Sequence, residues 1–146
     1  DKIKFDPKIY PADDIIFAEK AKKFGFKIGV SPNIYIYHRR RSTLNGLIKQ
    51  LYGYGKVRPK IPESNPLFLI PSLFLLYLLA IIPLSFISVW FLMPLIIYTS
   101  LTIIFSAYES IINENLLSFF ILPFLFLIIH LSYGTGFLIG FLSNDS

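Results

Sequence analysis

Two short runs carry the side chains best suited to chemistry: the adjacent carboxylates Asp13-Asp14 and the basic run His38-Arg39-Arg40-Arg41. Beside a second acid, a carboxylate can be held ready as a general base that takes a proton from an attacking hydroxyl. The same two acids also suit the opening turn of a helix, where negative charge meets the positive end of the backbone dipole. Spacing alone leaves both readings open. In the basic run, arginine forks match phosphate oxygens two at a time, and an imidazole can hydrogen-bond a phosphate or ligate a metal. A polybasic strip on anionic lipid uses the same residues, at roughly 1 kcal/mol per charge near the surface. Those alternatives stay open as well. No glycine-rich phosphate loop, zinc-ligand spacing or nucleophile elbow occurs.

The elements that must position these groups can be traced outward from them. The acids open a helical stretch from Asp14 to Phe24, with lysines in its last turn and Gly25 as its stop. Phe17, Ala21 and Phe24 share one face of it and are expected to pack on a sheet. The strands of that sheet are expected at Phe26–Val30 and Ile34–His38, around a turn at Ser31-Pro32-Asn33. Phe5-Asp6-Pro7 reads as an earlier turn. This order of helix and strands predicts an α/β fragment, the end of a larger domain and too small to bury a stable core alone. The start at Asp1, without a signal-peptide pattern, agrees with a piece of a longer polypeptide.

Composition then changes sharply. All 14 lysines and arginines lie at or before Lys60, so the stretch to Pro66, with its six acids, carries a net charge of +8. After Pro66 the only charged side chains are Glu109, Glu114 and Asp145. From Ser42 to about Tyr54 the pattern predicts an amphipathic helix. Leu44, Leu47, Ile48, Leu51 and Tyr52 fall on one face, with Asn45, Lys49 and Gln50 off it. With basic flanks, it reads as an interfacial helix on the cytosolic leaflet. Uncharged spans follow near 67–83, 86–107 and 116–142, with Pro83 and Ser85 taken as the first break. An α-helical transmembrane bundle of about three helices is therefore expected over 67–146, after a polar part at 1–41 and a linker segment at 42–66. The positive-inside rule puts the basic part in the cytoplasm, and three crossings would leave Ser146 outside. Within the last span, Gly136 and Gly140 form a small-xxx-small pair for close helix packing, and His130 calls for a hydrogen-bond partner on a neighbouring helix. The absence of cysteine removes disulfides and thiolate metal sites from consideration.

Taken in order, Phe5-Asp6, Asp13-Asp14, Gly25, Pro32, His38, Arg40-Arg41-Ser42, Lys49-Gln50 and Tyr54-Gly55 resemble the closing segment of a family 2 glycosyltransferase catalytic domain, inverting and of GT-A fold. The run His130-x-x-Tyr133-Gly134-x-Gly136 is similar to the membrane tail of exopolysaccharide-building, succinoglycan-type members. The resemblance implies that Asp14 is the catalytic base for the acceptor hydroxyl, with Asp13 its neighbour in the acidic pair. It implies that His38, Arg39, Arg40 and Arg41 lie near the donor diphosphate and that Gln50 contributes to substrate binding. A nucleotide-diphospho-sugar donor, a lipid-linked or saccharide acceptor and membrane lipids are the implied partners, with no nucleic acid. A divalent cation, Mg or Mn, would be held by an Asp-x-Asp motif upstream of Asp1, with no metal ligand in this chain. The sequence departs from the pattern where Gln50 continues into Leu51-Tyr52-Gly53 rather than reaching Arg-Trp, which argues against a cellulose-synthase-like processive enzyme. Lys20 stands where arginine is usual. A non-enzymatic membrane anchor with a lipid- or partner-binding basic segment is the competing class. A transporter has little support from the sparse ionisable groups near the spans.

Overall fold

The computed structural model describes residues 13–35, 37, 43–61 and 65–143, with only the backbone of Asp13, Ile15 and Glu19 in the first helix. Phe5-Asp6-Pro7 and the run from His38 to Ser42 lie outside the described residues. The α-helices are α1 (Asp13–Lys23), α2 (Leu44–Val57), α3 (Ile70–Ile87), α4 (Met93–Ile112) and α5 (Leu116–Leu142). Short 3-10 turns at Arg58–Lys60, Pro66–Leu69 and Val89–Leu92 lead from α2 to α3 and from α3 to α4.

Helix α1 begins at the acidic pair and stops where glycine permits a left-handed residue. Gly25 has φ +82, and the Phe26 amide reaches back to the Ala21 carbonyl at 3.0 Å while the Gly25 amide reaches Lys22 at 2.9 Å. Those two bonds make a Schellman cap and satisfy carbonyls the helix end would otherwise leave open. The Ser31-Pro32-Asn33 turn also forms, closed by the Ile34 amide on the Ser31 carbonyl at 3.2 Å.

The expected α/β fragment does not form. Among the described residues there is no strand: Phe26–Val30 has no regular secondary structure, and Ile34, Tyr35 and Tyr37 are solvent-facing. Tyr35 and Tyr37 meet edge to face at 5.8 Å. The physical reason is that strand preference largely reflects packing against cross-strand neighbours, and two short segments alone are marginal as a hairpin. Val30 is fully exposed, so the alternating pattern has no face to bury.

The later helices bear out the apolar reading with shifted ends. Three are long and apolar enough to cross a membrane: Pro66–Ile87, Val89–Ile112 and Leu116–Leu142. Pro83 sits inside α3 instead of ending it, and the break falls at Ser88, where the backbone is extended. In hydrocarbon, abandoning the helix strips several backbone groups of partners, whereas a proline removes a single bond. Pro71 and Pro94 stand at helix starts, where the missing N–H is no loss. The burial pattern is inverted relative to a water-soluble bundle. Among the described residues the largest fully buried side chains are Ser72 and Ser106, while Leu79, Ile82, Phe86 and Ile104 face outward. Small residues inside and large apolar ones outside are what lipid selects. The chain is a membrane protein.

Helices α4 and α5 form an antiparallel hairpin. Tyr98 faces His130 and Phe105 faces Phe126, on either side of a turn in which Glu114 takes φ 49. At the open end of this hairpin, α3 meets α5 through Ser72, whose hydroxyl donates to the Gly134 carbonyl at 3.4 Å. Its Tyr77 hydroxyl donates to the Phe91 carbonyl at 2.8 Å and accepts from the Leu95 amide at 3.2 Å. Ser72 and Tyr77 both belong to the first half of α3, so this half is what is tied to the open end of the hairpin. There α2 also lies, with Lys56 beside Gly140 near the end of α5. A count of three spans puts the two ends on opposite sides of a membrane, whereas Lys56 beside Gly140 puts α2 next to the end of α5. Reporters fused after Lys60 and after Ser146 are expected to read the same side of the membrane, and opposite readings would restore three full crossings.

Candidate functional site at the open end of the hairpin

The site is assembled on backbone contacts between helices. Gly55 of α2 lies against the Tyr133 carbonyl of α5. Gly136 and Gly140 of α5 lie against the carbonyls of Tyr52 and Lys56 in α2, and Gly134 lies against the Pro71 carbonyl of α3. A Cβ on any of the four would strike backbone, which cannot swing aside. Helices approach this closely only where the side chain is a hydrogen. The small-xxx-small pair was legible in the sequence, but its partner was not. The tyrosine-glycine spacing Tyr52-Gly-Tyr54-Gly55 was the available signal, since it mirrors Tyr133-Gly134-Thr-Gly136.

Helix α2 is capped by Thr43, whose hydroxyl accepts from the Gly46 amide at 3.2 Å; the expected cap, Ser42, lies one residue earlier and outside the described residues. The helix runs on to Val57 and hands over to Arg58-Pro59-Lys60 in a 3-10 turn. Asn45 and Lys49 are exposed, and Gln50 is half-buried, its amide donating to the Tyr54 hydroxyl at 3.1 Å. The Arg58 guanidinium stacks on the Phe68 ring at 3.5 Å, tying the basic turn to the entry of α3.

Helix α1 is joined to this end of the molecule through its buried apolar face. Buried Ile16 packs with Val57 and Ile61 in a small apolar cluster. The docking face of α1 is therefore centred on Ile16 and Ala21 rather than on Phe24, which is 56% exposed, and its counterpart is the basic turn rather than a sheet. Asp14 lies two residues before Ile16 and is exposed, so the acidic pair opens a helix anchored beside Arg58 and Lys60. The side chain of Asp13, like all of His38, Arg39, Arg40 and Arg41, lies outside the described residues. The structure thus places Asp14, exposed, at the start of the helix that Ile16 docks, and Gln50 on the helix leading to the basic turn.

Deeper along α5, the His130 Nδ1 lies 2.7 Å from the Phe126 carbonyl, to which an Nδ1–H donates, and 3.4 Å from the Tyr98 hydroxyl. This is the neighbouring-helix contact expected for a histidine at membrane depth. The Tyr133 hydroxyl is buried and has no hydrogen-bond partner among the described residues. Nor do three His, Asp or Glu side chains come together among those residues, so a divalent cation has no ligand set there.

No family model and no solved structure matches the chain. Among characterised proteins it is similar to the dolichyl N-acetyl-alpha-D-glucosaminyl phosphate 3-beta-D-2,3-diacetamido-2,3-dideoxy-beta-D-glucuronosyltransferase of Methanococcus voltae. The two are 28% identical over 148 residues, covering 99% of this chain and 44% of the relative. The chain therefore spans less than half the length of that protein.

The glycine seam sets a stability test. Gly136→Val and Gly140→Val are expected to lower stability in detergent by about 1–3 kcal/mol, as overpacking does. Gly29→Ala, where a Cβ meets nothing within 4 Å, should change it by less than about 0.5 kcal/mol. Equal thermal shifts for all three variants would show that the seam is not a packing constraint.

Proposed function

We propose that this chain is the membrane-proximal part of a glycosyltransferase that adds a sugar to a lipid-linked acceptor. The observation that carries the reading is the similarity to the Methanococcus voltae enzyme along nearly the whole chain, membrane helices included. The site's geometry supports it, because the acidic helix, the basic turn and the membrane hairpin meet at one end of the molecule.

In this reading the donor is a nucleotide-diphospho-sugar and transfer inverts the anomeric carbon. Asp14 accepts the proton of an acceptor hydroxyl as that oxygen bonds the sugar carbon. The bond from that carbon to the diphosphate breaks in the same step, and the diphosphate leaves with the electron pair. Basic residues of the His38–Arg41 run and the Arg58 turn supply positive charge where negative charge develops. A divalent cation would add to that charge. The described residues do not gather ligands for one, and no step is routed through it. Following the positive-inside rule, the basic end faces the cytoplasm.

Asp14→Asn, made in the natural protein that contains this chain, separates a base from a helix cap. Asparagine keeps the shape and still caps a helix, but it does not take up the proton. Single-turnover transfer is expected to fall by roughly 10²–10⁴-fold with donor affinity unchanged. Asp13→Asn should cost less. Near-normal transfer in Asp14→Asn would remove the base assignment. Absence of any sugar transfer by the wild-type protein to lipid-linked acceptors would remove the glycosyltransferase reading itself.

A further inference from the structure

After Tyr77 the chain makes an excursion and comes back to where it left. The Tyr77 hydroxyl is bonded to the Phe91 carbonyl and the Leu95 amide, and the Phe74 ring lies 4.4 Å from the Tyr98 ring and 6.0 Å from the His130 ring. Ser72 meets Gly134, so α3 begins at the Gly134 end of α5. Helix α4 begins there too: it runs from Tyr98 beside His130 toward Phe105 beside Phe126, and Phe91 precedes it. Lengths then decide how far α3 can travel. Between Leu116 and Gly134, α5 rises about 27 Å, close to the roughly 30 Å of a hydrocarbon core. Aligned with α5, α3 would carry Ile87 about 22 Å from Ser72, toward the far side. From Ile87 to Phe91 the chain reaches at most about 14 Å even when fully extended, and much of it is wound into the 3-10 turn Val89–Leu92. That is too short for the return. Helix α3 is therefore tilted away from α5 and does not cross.

The two turns of the membrane part differ accordingly. The α4–α5 turn carries Glu109, Asn113, Glu114 and Asn115, side chains suited to water. From Leu84 to Leu95, around the α3–α4 turn, there is no charged side chain and the hydroxyls are Ser85 and Ser88. Polar groups here are closed within the protein. Ser85 donates to the Ile82 carbonyl at 2.7 Å, the Ser88 amide to the Leu84 carbonyl at 3.1 Å, and the Phe91 amide to the Ser88 carbonyl at 3.2 Å. The Ser88 hydroxyl accepts from the Trp90 amide at 3.4 Å, and Tyr77 serves the start of α4. Hydrocarbon demands such internal closure, and water does not. Around the turn Leu79, Ile82, Phe86, Ile87, Val89 and Trp90 are large and outward-facing. Their surface continues the apolar outer surface of α4 and α5.

We infer that the second half of α3 and the Val89–Leu92 turn form a re-entrant element seated in one leaflet, the one beside the basic turn, with that leaflet's acyl chains covering its outward face. The assignment holds whether or not the chain transfers sugars. Only α4 and α5 then reach the opposite face, and the protein is broad in one leaflet and narrow in the other. The element enters the lipid at Pro66–Leu69, where the Arg58 guanidinium stacks on the Phe68 ring. A long apolar arm leaving from that point holds Arg58–Lys60 at headgroup height, and with it the Ile16 contact that docks α1.

The test places cysteines in the natural protein, in right-side-out and inverted membrane vesicles, and treats them with a membrane-impermeant maleimide. Labelled peptides are identified by mass spectrometry, and this chain contributes no cysteine of its own. Lys60→Cys is expected to react from one face and Asn113→Cys, in the α4–α5 turn, from the other. From the face that labels Asn113→Cys, Ile87→Cys should react at least roughly tenfold more slowly, because a thiol in apolar surroundings stays protonated and inert. A fluorophore on Ile87→Cys should be quenched by phospholipids that carry a nitroxide on the acyl chain, and one on Lys60→Cys should not. Equal labelling of Ile87→Cys and Asn113→Cys from one face would show a complete crossing by α3 and overturn the inference. An unquenched fluorophore at Ile87 would show that protein covers this face, a second copy or another part of the natural polypeptide, and would overturn it as well. Phe86→Cys, also outward-facing, gives the same readings where Ile87→Cys fails to accumulate.

Discussion

Backbone lies directly on backbone where α2 crosses α5, and the rest of the arrangement hangs from that contact. Gly55, Gly136 and Gly140 place carbonyls of one helix in the space a side chain of the other would fill. In lipid the hydrophobic effect does not drive helices together, because hydrocarbon solvates leucine as well as leucine does. Close approach is what remains, and it brings many weak dispersion contacts into range at once. Without it the basic turn at Arg58–Lys60 would have no fixed place relative to the hairpin. The Ile16–Val57–Ile61 cluster would then hold α1 to a drifting element.

The same constraint explains why polar side chains fill the interior. Ser72 and Ser106 are fully buried yet satisfied, Ser72 across to α5 and Ser106 back onto the Thr102 carbonyl at 2.6 Å. Each is small enough to let helices close and carries one hydrogen it can place locally. Thr135 does likewise on the Leu131 carbonyl at 2.7 Å. The unplaced Tyr133 hydroxyl stands out against this habit of local satisfaction. It lies toward the end of α5 that faces the basic turn.

What could be read from the sequence was whatever depends on local chemistry or on bulk solvent. The stop at Gly25, the turn at Ser31 and the uncharged spans need no knowledge of a partner. The seam was half-legible: Gly136 and Gly140 announced close packing, but α2 reads as equally suited to a lipid surface, because an apolar face does not say what covers it. Pro83 was misplaced because a helix-breaker in water becomes the lesser loss in hydrocarbon. The strands failed for the opposite reason, since alternation such as Ile34-Tyr35-Ile36-Tyr37 requires a neighbouring strand to become structure. Of the proposed chemical residues, Asp14 lies exposed in the first turn of α1 and Gln50 lies half-buried on α2. The His38–Arg41 run lies outside the described residues, so its charge enters only through the sequence.

A transferase that works on a lipid must solve a positioning problem that a soluble enzyme does not meet. Its acceptor diffuses in two dimensions and can sink, tilt or rise, and a displacement of about 1 Å at the reacting hydroxyl is enough to lose roughly 10²-fold in rate. Tail binding alone fixes depth but not the height of the catalytic base above the membrane. Head binding alone fixes neither the tail nor the approach angle. This fold joins the two references through α2, which is locked to α5 by glycine on one side and ends in the turn that receives Ile16 on the other. The helix that opens at Asp13-Asp14 and the α4–α5 hairpin are thus both held by α2 and the turn after it. Under the proposed function, that shared reference gives the glycine seam a positioning role, although none of its residues carries a reactive group.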